Sequence, residues 1–402
     1  MNAKRLPLIH TGRVGVVELT ALMTVYSSTE IFLSMPSRIA MEGAGFAWAI
    51  PLVSGTLVLI AFLIVHMCLK RFPGENLLQV ISRLFGRFTA LPLALLFALL
   101  LLTQTALVTR EFTETVVTTV FPATPSAVIT FTFLLVALYY AYKGLEGLSR
   151  TALLFSYFFL FGLAMLLILP LSWFDARLLL PFWGHGFGNA VWFGTINTSL
   201  YFNVLFLSIL YPTLRDRDHF LYVGVISTVV TAVIFSIVLV VFLGTFTAAE
   251  SGNVPFPLYQ LARVIYVGRF VQRLEAIFVF LWTAAAVIKM GFGLWMVAYL
   301  YALGFGMPLY RPLLAPVTLQ LYVLSFLPPD FPAVLALSAA VFEPYGWLVG
   351  VLLPTLLAVA AALVDWRRKR RGKETGAPRE AQTFRKGSGR LRARGRVFLR
   401  SP

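Results

Sequence analysis

Long apolar runs alternate with short polar breaks along almost the whole chain. A helix that spans a bilayer needs about 17 to 25 mainly apolar residues. Ten stretches qualify: 15–38, 44–66, 90–118, 125–142, 151–174, 190–212, 219–247, 272–303, 312–328 and 345–365. A further apolar stretch, 331–343, is too short to span and reads as a helix lying in the membrane interface. The pattern predicts an all-α polytopic membrane protein. Two runs are interrupted. The first carries Tyr26-Ser27-Ser28-Thr29-Glu30 ahead of Ile31-Phe32-Leu33-Ser34-Met35-Pro36, and the sixth carries Phe193-Gly194-Thr195-Ile196-Asn197-Thr198-Ser199 ahead of Leu200-Tyr201-Phe202-Asn203.

Backbone in hydrocarbon must satisfy its own polar groups, so irregular chain at that depth belongs where it faces protein or a cavity. Ten helices divide into two sets of five, residues 15–174 and 190–365, each beginning with an interrupted helix. Five is odd, so the halves insert with opposite topology, and matched interruptions point to a binding site at the membrane midplane. A broken helix frees N–H groups at one end and C=O groups at the other, which suit a carboxylate and an ammonium. An α-amino acid has that shape. Ser27, Ser28, Thr29 and Glu30 from the first break, with Asn197, Thr198 and Tyr201 from the second, are the candidate ligand-binding residues. The same hydroxyls also suit a structural role, bonding back to their own helix or joining helices.

Composition agrees with the pattern: 59% of residues are hydrophobic, 12% are charged, and the mean hydropathy is +0.84. Lys4, Arg5 and Arg13 precede a run that carries Glu18 and Glu30 and leads into the next, so it is expected to stay as a membrane helix rather than leave as a signal peptide. The net charge of +16 is local: residues 366–402 hold 14 Lys/Arg against two acids and supply +12 of it. That segment reads as a disordered basic tail at the membrane surface, contacting anionic lipid, and not as a nucleic-acid site. Residues 1–365 form the membrane domain. With the N-terminus inside, the inner segments short of the tail hold 12 Lys/Arg and the outer ones six, so both termini are expected in the cytoplasm.

Enzyme chemistry finds no footing. His10, His66, His185 and His219 are scattered, no metal cluster or cofactor site is legible, and Gly184-His185-Gly186-Phe187-Gly188 lacks the strand–loop–helix setting of a nucleotide site. The single cysteine, Cys68, reads as a packing residue. An intramembrane carboxylate is a functional candidate by default, and Glu30 is the sharpest one. It can meet a ligand ammonium, carry a proton in a coupling step, or hold helix 1 to a neighbour. Arg110 and Glu114 share a helix face at i and i+4 and read as a structural ion pair beside Glu111. Thr103 and Gln104 lie deeper in that helix, with Thr103 placed toward the cavity.

Four stretches in order carry a resemblance. They are Leu33-Ser34-Met35-Pro36 with Glu42-Gly43-Ala44-Gly45; Arg71-Phe72-Pro73-Gly74-Glu75-Asn76-Leu77 with Leu84-Phe85-Gly86; Arg110-Glu111-Phe112 through Pro122-Ala123-Thr124-Pro125 and Gly144-Leu145-Glu146 to Arg150; and Pro257-Leu258, Ala262-Arg263-Val264-Ile265, and Arg273-Leu274-Glu275-Ala276 ahead of Trp282. Together they resemble the B-subunit (spore permease) family of endospore germination receptors, within the amino acid–polyamine–organocation transporter superfamily. The resemblance implies a LeuT-like fold with helices 1 and 6 unwound. It implies a nutrient-sensing subunit in the inner membrane of spores, working with A-type and C-type partner subunits on an amino acid or similar small nutrient. Thr283, in the part of helix 8 that lines the family's cavity, joins the candidate site. Related folds hold a sodium ion between helices 1 and 8, and the ammonium of Lys289 is a fixed positive charge suited to such a place. Its structural alternative is to neutralise Glu18 or another intramembrane acid. The family usually carries glycine where this chain has Ser28-Thr29-Glu30, so Glu30 is either this chain's own selector of a cationic group or a proton, or a structural pair with Lys289. The rival functions are a stand-alone proton-coupled amino-acid or amine permease, with Glu30 or Lys289 as coupling group, and a scaffold that binds no ligand.

Overall fold

The computed structural model describes residues 12–374, apart from 253, 255 and 266–274. The part of the basic tail beyond 374 and the start expected for the eighth helix at 272 lie outside the described residues. Apolar runs bounded by Pro, Gly and polar turns fold as helices because only a helix closes its own hydrogen bonds in hydrocarbon. In chain order they are α1 (Val16–Ser28), α2 (Met35–Gly43), α3 (Ala49–Leu69), α4 (Leu77–Phe85), α5 (Arg87–Thr119), α6 (Ser126–Ile168), α7 (Phe187–Ile196), α8 (Asn203–Leu210), α9 (Phe220–Thr245), α10 (Ala248–Ser251), α11 (Pro257–Val264), α12 (Glu275–Phe305), α13 (Leu314–Ser325), α14 (Phe331–Trp347) and α15 (Leu353–Glu374). No strand occurs among the described residues. An isolated parallel bridge, Val14 to Leu214, ties the N-terminal segment to the turn after α8.

Among the described residues seven helices are long and apolar enough to cross a membrane, or eight if α1 and α2 count as one bent span. Two departures from the sequence reading matter. The stretches 125–142 and 151–174 are expected with a loop between them but meet directly in α6, as two helices joined at a kink where Gly144 leaves the helical backbone at φ +81°. The stretch 312–328 yields only α13, twelve residues long. At 1.5 Å per residue α13 reaches about 18 Å, less than the ~30 Å hydrocarbon layer, because Pro312 and Pro316 crowd its start and Pro328 and Pro329 follow its end.

The outward faces are apolar where a water-soluble protein would be polar. Leu154, Tyr157, Phe158 and Phe161 on α6 are each at least 60% exposed, a patch that only lipid or a partner makes tolerable. Inside, α12 packs along α5 and α6, α1 lies against α6, α9 and α12, and α3 lies against α9 and α15. Gly45 marks a tight approach: a Cβ there would lie 2.2 Å from the Leu179 carbonyl oxygen and 2.4 Å from that of Pro181. Backbone cannot yield as a side-chain tip can, so Gly45→Ala is expected to cost about 1–3 kcal/mol. A melting temperature in detergent unchanged from the parent would contradict that packing.

Candidate functional site

The site grows from the end of α1. After Ser28 the helix tightens into a 3-10 turn over Thr29–Phe32, and Leu33 is extended at φ −96°, ψ −167°. Pro36 then occupies the first turn of α2, where a missing N–H costs nothing. The chain bends by 72° between the two segments. Such a break leaves backbone groups that need other partners, and the neighbouring helices supply them.

Lys289, on α12, reaches the carbonyl end of this break. Its Nζ donates to the Tyr26 carbonyl at 3.1 Å, lies 2.8 Å from Glu30 Oε1, and sits 4.1 Å from the centre of the Tyr26 ring. The lysine is 2% exposed, and burial of an ammonium at that level requires such pairing. The aromatic face adds a cation–π contact. From α5, Gln104 Nε2 donates to Glu30 Oε1 at 3.3 Å, and the Tyr26 hydroxyl donates to Gln104 Oε1 at 2.7 Å. Tyr26, Gln104, Glu30 and Lys289 thus close a ring of polar contacts across three helices. Glu18, the other acid considered as a partner for Lys289, instead accepts from the Gly15 N–H and lies 3.8 Å from Arg150.

Glu111, about two helical turns beyond Gln104 on α5, serves the opposite end of the break. Ser34 stands at the N-cap of α2, and both its N–H (2.8 Å) and its hydroxyl (2.6 Å) donate to Glu111 Oε1. A carboxylate there satisfies orphan donors and faces the positive end of the helix dipole. Arg110 and Glu114 form the expected i, i+4 pair at 2.9 Å, with Arg110 also donating to the Pro329 carbonyl.

The second break mirrors the first in form. After Ile196, α7 passes into a 3-10 turn over Asn197–Leu200, and Phe202 takes a left-handed conformation at φ +43° before α8 begins. Asn197 Nδ2 donates to Glu42 Oε2 and to the Phe193 carbonyl, both at 2.9 Å. The Ser27 hydroxyl lies 3.1 Å from both the Tyr201 carbonyl oxygen and Asn203 Oδ1, which joins the two breaks directly.

Between the breaks lies a cavity of about 360 Å³. The first break contributes Glu30, Leu33 and Ser34; α2 contributes Ser37 and Arg38; the second break contributes Ser199, Leu200 and Phe202. From α5 come Gln104, Leu107, Val108 and Glu111, a single stripe at helical spacing. The remaining wall is α14, through Leu335, Ala336, Ser338, Ala339 and Phe342. The stretch 331–343, expected as a helix too short to span, is helical, packs on α5, and has Val334 fully buried. The Ser37 hydroxyl donates to the Val254 carbonyl at 2.6 Å, fastening the segment after α10 to the rim.

Of the residues singled out in the sequence, Glu30 lines this cavity and Lys289 stands directly behind it. Thr29 donates back to the Val25 carbonyl, Thr198 donates to the Thr195 carbonyl, and the Tyr201 hydroxyl donates to the Pro51 carbonyl. Those three, with Ser27 and Asn197, hold the breaks in shape. Ser28 is fully buried, and its hydroxyl has no protein partner. Thr103 and Thr283 are half-buried and are not among the residues lining the cavity. Gln104, Ser34, Arg38, Ser199 and α14 were not in the expected set. The spacing of 104, 107, 108 and 111 carried a signal for the first of them, since Thr103 lies about 100° round the helix from that stripe.

A family model described as "Spore germination protein" matches residues 13–331. The chain belongs to that family. Spore germination protein B2 of Bacillus subtilis (strain 168) is 26% identical over 262 residues, 63% of this chain and 69% of its own length. Spore germination protein KB of the same organism is 24% identical over 378 residues, 91% of this chain and 98% of its own. Among solved structures, the fold resembles a substrate-bound, outward-open Na+-coupled sialic acid symporter, with a TM-score of 0.61 at 12% identity over 87% of this chain and 89% of that one. It also resembles Mhp1, a nucleobase-cation-symport-1 family transporter, closed with bromovinylhydantoin bound, at a TM-score of 0.64 and 12% identity over 92% and 96%. This spore germination family protein is therefore a multi-pass membrane protein with a LeuT-like transporter fold, and it is not an enzyme.

Proposed function

We propose that this protein is the nutrient-sensing subunit of a spore germination receptor, and that its ligand, an amino acid or similar small nutrient, binds in the cavity between the two breaks. The observation that carries the reading is the cavity itself: a space the size of a small solute, opened by two helix breaks, with Glu30, Glu111 and Arg38 in its wall. A carboxylate pair and a guanidinium complement the ammonium and carboxylate of a zwitterion. The ligand acts by binding one of two conformations more tightly than the other. A-type and C-type subunits receive that shift in the spore inner membrane.

The membrane domain is read as ten spans in two inverted halves. At 43 residues α6 would reach about 65 Å, more than twice the ~30 Å hydrocarbon layer, so the break at Gly144 divides two spans. The bent pairs α1–α2 and α7–α8 head the two halves. The Lys/Arg bias supports a cytoplasmic position for both termini.

Filling the cavity tests the site. Ala339→Trp is expected to shift the nutrient dose–response of germinating spores by roughly tenfold or more, the equivalent of one lost contact of ~1.4 kcal/mol, with the protein still present in the membrane. An unchanged dose–response at equal protein level rejects the placement. A second reading, a stand-alone proton-coupled permease, draws on the acid–base pair of Glu30 and Lys289 at the cavity wall. Uptake of labelled amino acid by vesicles containing only this protein would favour it over the receptor.

A further inference from the structure

A second cavity, about 430 Å³, lies between the C-terminal end of α3 and the middle of α15. Its floor is made of small or buried groups, with Ala358 fully buried and Cys68 nearly so. Its lips are apolar and open outward: Met67 is 58% exposed and Leu363 52%. At one end the character changes. Arg71 Nη1 is 3.4 Å from the Ala362 carbonyl oxygen, a long contact that leaves most of its fork for another acceptor. Trp366, half exposed, stands at the same end with the Arg370 guanidinium 5.5 Å from its ring centre.

We propose that this groove holds one anionic phospholipid, with an acyl chain between α3 and α15 and its phosphate at Arg71. Charge complementarity selects that occupant. Arg71 lines the groove, Arg370 stands over the lining Trp366, and the exposed Lys70 and Arg367 are their chain neighbours, against one acid, Asp365. Such a basic rim on an apolar slot matches a lipid with a negative headgroup, and tryptophan marks the headgroup level. A second copy of this chain related by a two-fold axis would bring two such rims together, and like charges oppose that contact.

The test is native mass spectrometry of the purified full-length protein in detergent, titrated with phosphatidylglycerol or phosphatidylcholine of matched chains. Retention of one phosphatidylglycerol in preference to phosphatidylcholine is expected. Arg71→Gln is expected to lower that retention about fivefold, the effect of one basic contact near a membrane surface. Ala358→Trp, which fills the floor, is expected to abolish it, and Ala362→Phe replaces it if the first variant does not fold. Arg83→Gln, whose partner is Glu75 and which lies outside the groove, should retain lipid like the parent. Equal retention of both lipids, or full retention in Arg71→Gln and the filled variant, overturns the proposal. So does displacement of the lipid by inorganic phosphate alone, which would assign the rim to a soluble anion. A dimer that Ala358→Trp dissociates, with no lipid retained, would assign the groove to a second copy.

Discussion

Lys289→Met is expected to destabilise the protein by about 3–5 kcal/mol, the cost of leaving a buried charge without its partner. The substitution preserves length and apolar volume, so it removes the ammonium and little else. Glu30, with a side chain only 12% exposed, would then lose the ammonium that lies 2.8 Å from its Oε1. The Tyr26 carbonyl would also lose its donor at the break. The check is a denaturation series in detergent, with the amount of folded protein recovered from the membrane as a second readout. Glu30→Gln added to Lys289→Met should restore most of the loss, because a neutral amide still accepts from Gln104 and needs no counter-charge. If the single variant is as stable as the parent, the pair does not hold the break. If the double variant is no better than the single, the loss comes from packing instead.

Glu111→Ala should have the next largest effect, about 2–4 kcal/mol. Leaving the Ser34 N–H and hydroxyl without their acceptor costs roughly 1–3 kcal/mol, and loss of a partly buried carboxylate at a helix N-terminus up to ~2 more. Both fall on α2, whose Ser34 N–H and hydroxyl share that oxygen. Glu111→Gln keeps an acceptor and should recover about half. Hydrogen exchange of the amides of residues 34–37 gives a local readout. Protection unchanged in Glu111→Ala would show that α2 is held by something else.

Much of this arrangement was legible in the sequence. Three hydroxyl residues and a carboxylate inside an apolar run, followed by Met-Pro, point to a break in a membrane helix, and the break is there. Asn-Thr-Ser in the second run marked the other. Glu30 and Lys289 stood out because hydrocarbon makes any lone charge anomalous, and each proves to be the other's partner. What was not legible depends on packing between distant residues. Glu111 and Ser34 are 77 positions apart, and nothing local to Arg110-Glu111 tells an ion-pair acid from a helix cap. Thr103 looked polar enough to face the cavity, but the rotation of α5 turns Gln104 there. The stretch 331–343 was judged by its length, which is short for a span. Its small residues Ala336 and Ala339 line the cavity between the breaks. Ser27, Thr29, Asn197, Thr198 and Tyr201 read in the sequence as polar groups for a ligand, and in the structure each has a hydrogen-bond partner within the protein.

The ammonium at the first break is covalently part of the chain. It cannot arrive from one side of the membrane and leave on the other, so its place beside Glu30 and the Tyr26 carbonyl yields no work from a gradient of metal cations. The energy of that contact is the same however salty either compartment is. On the receptor reading proposed above, occupancy of the adjoining cavity would follow the solute's own concentration, which suits a site that measures a solute rather than one that accumulates it.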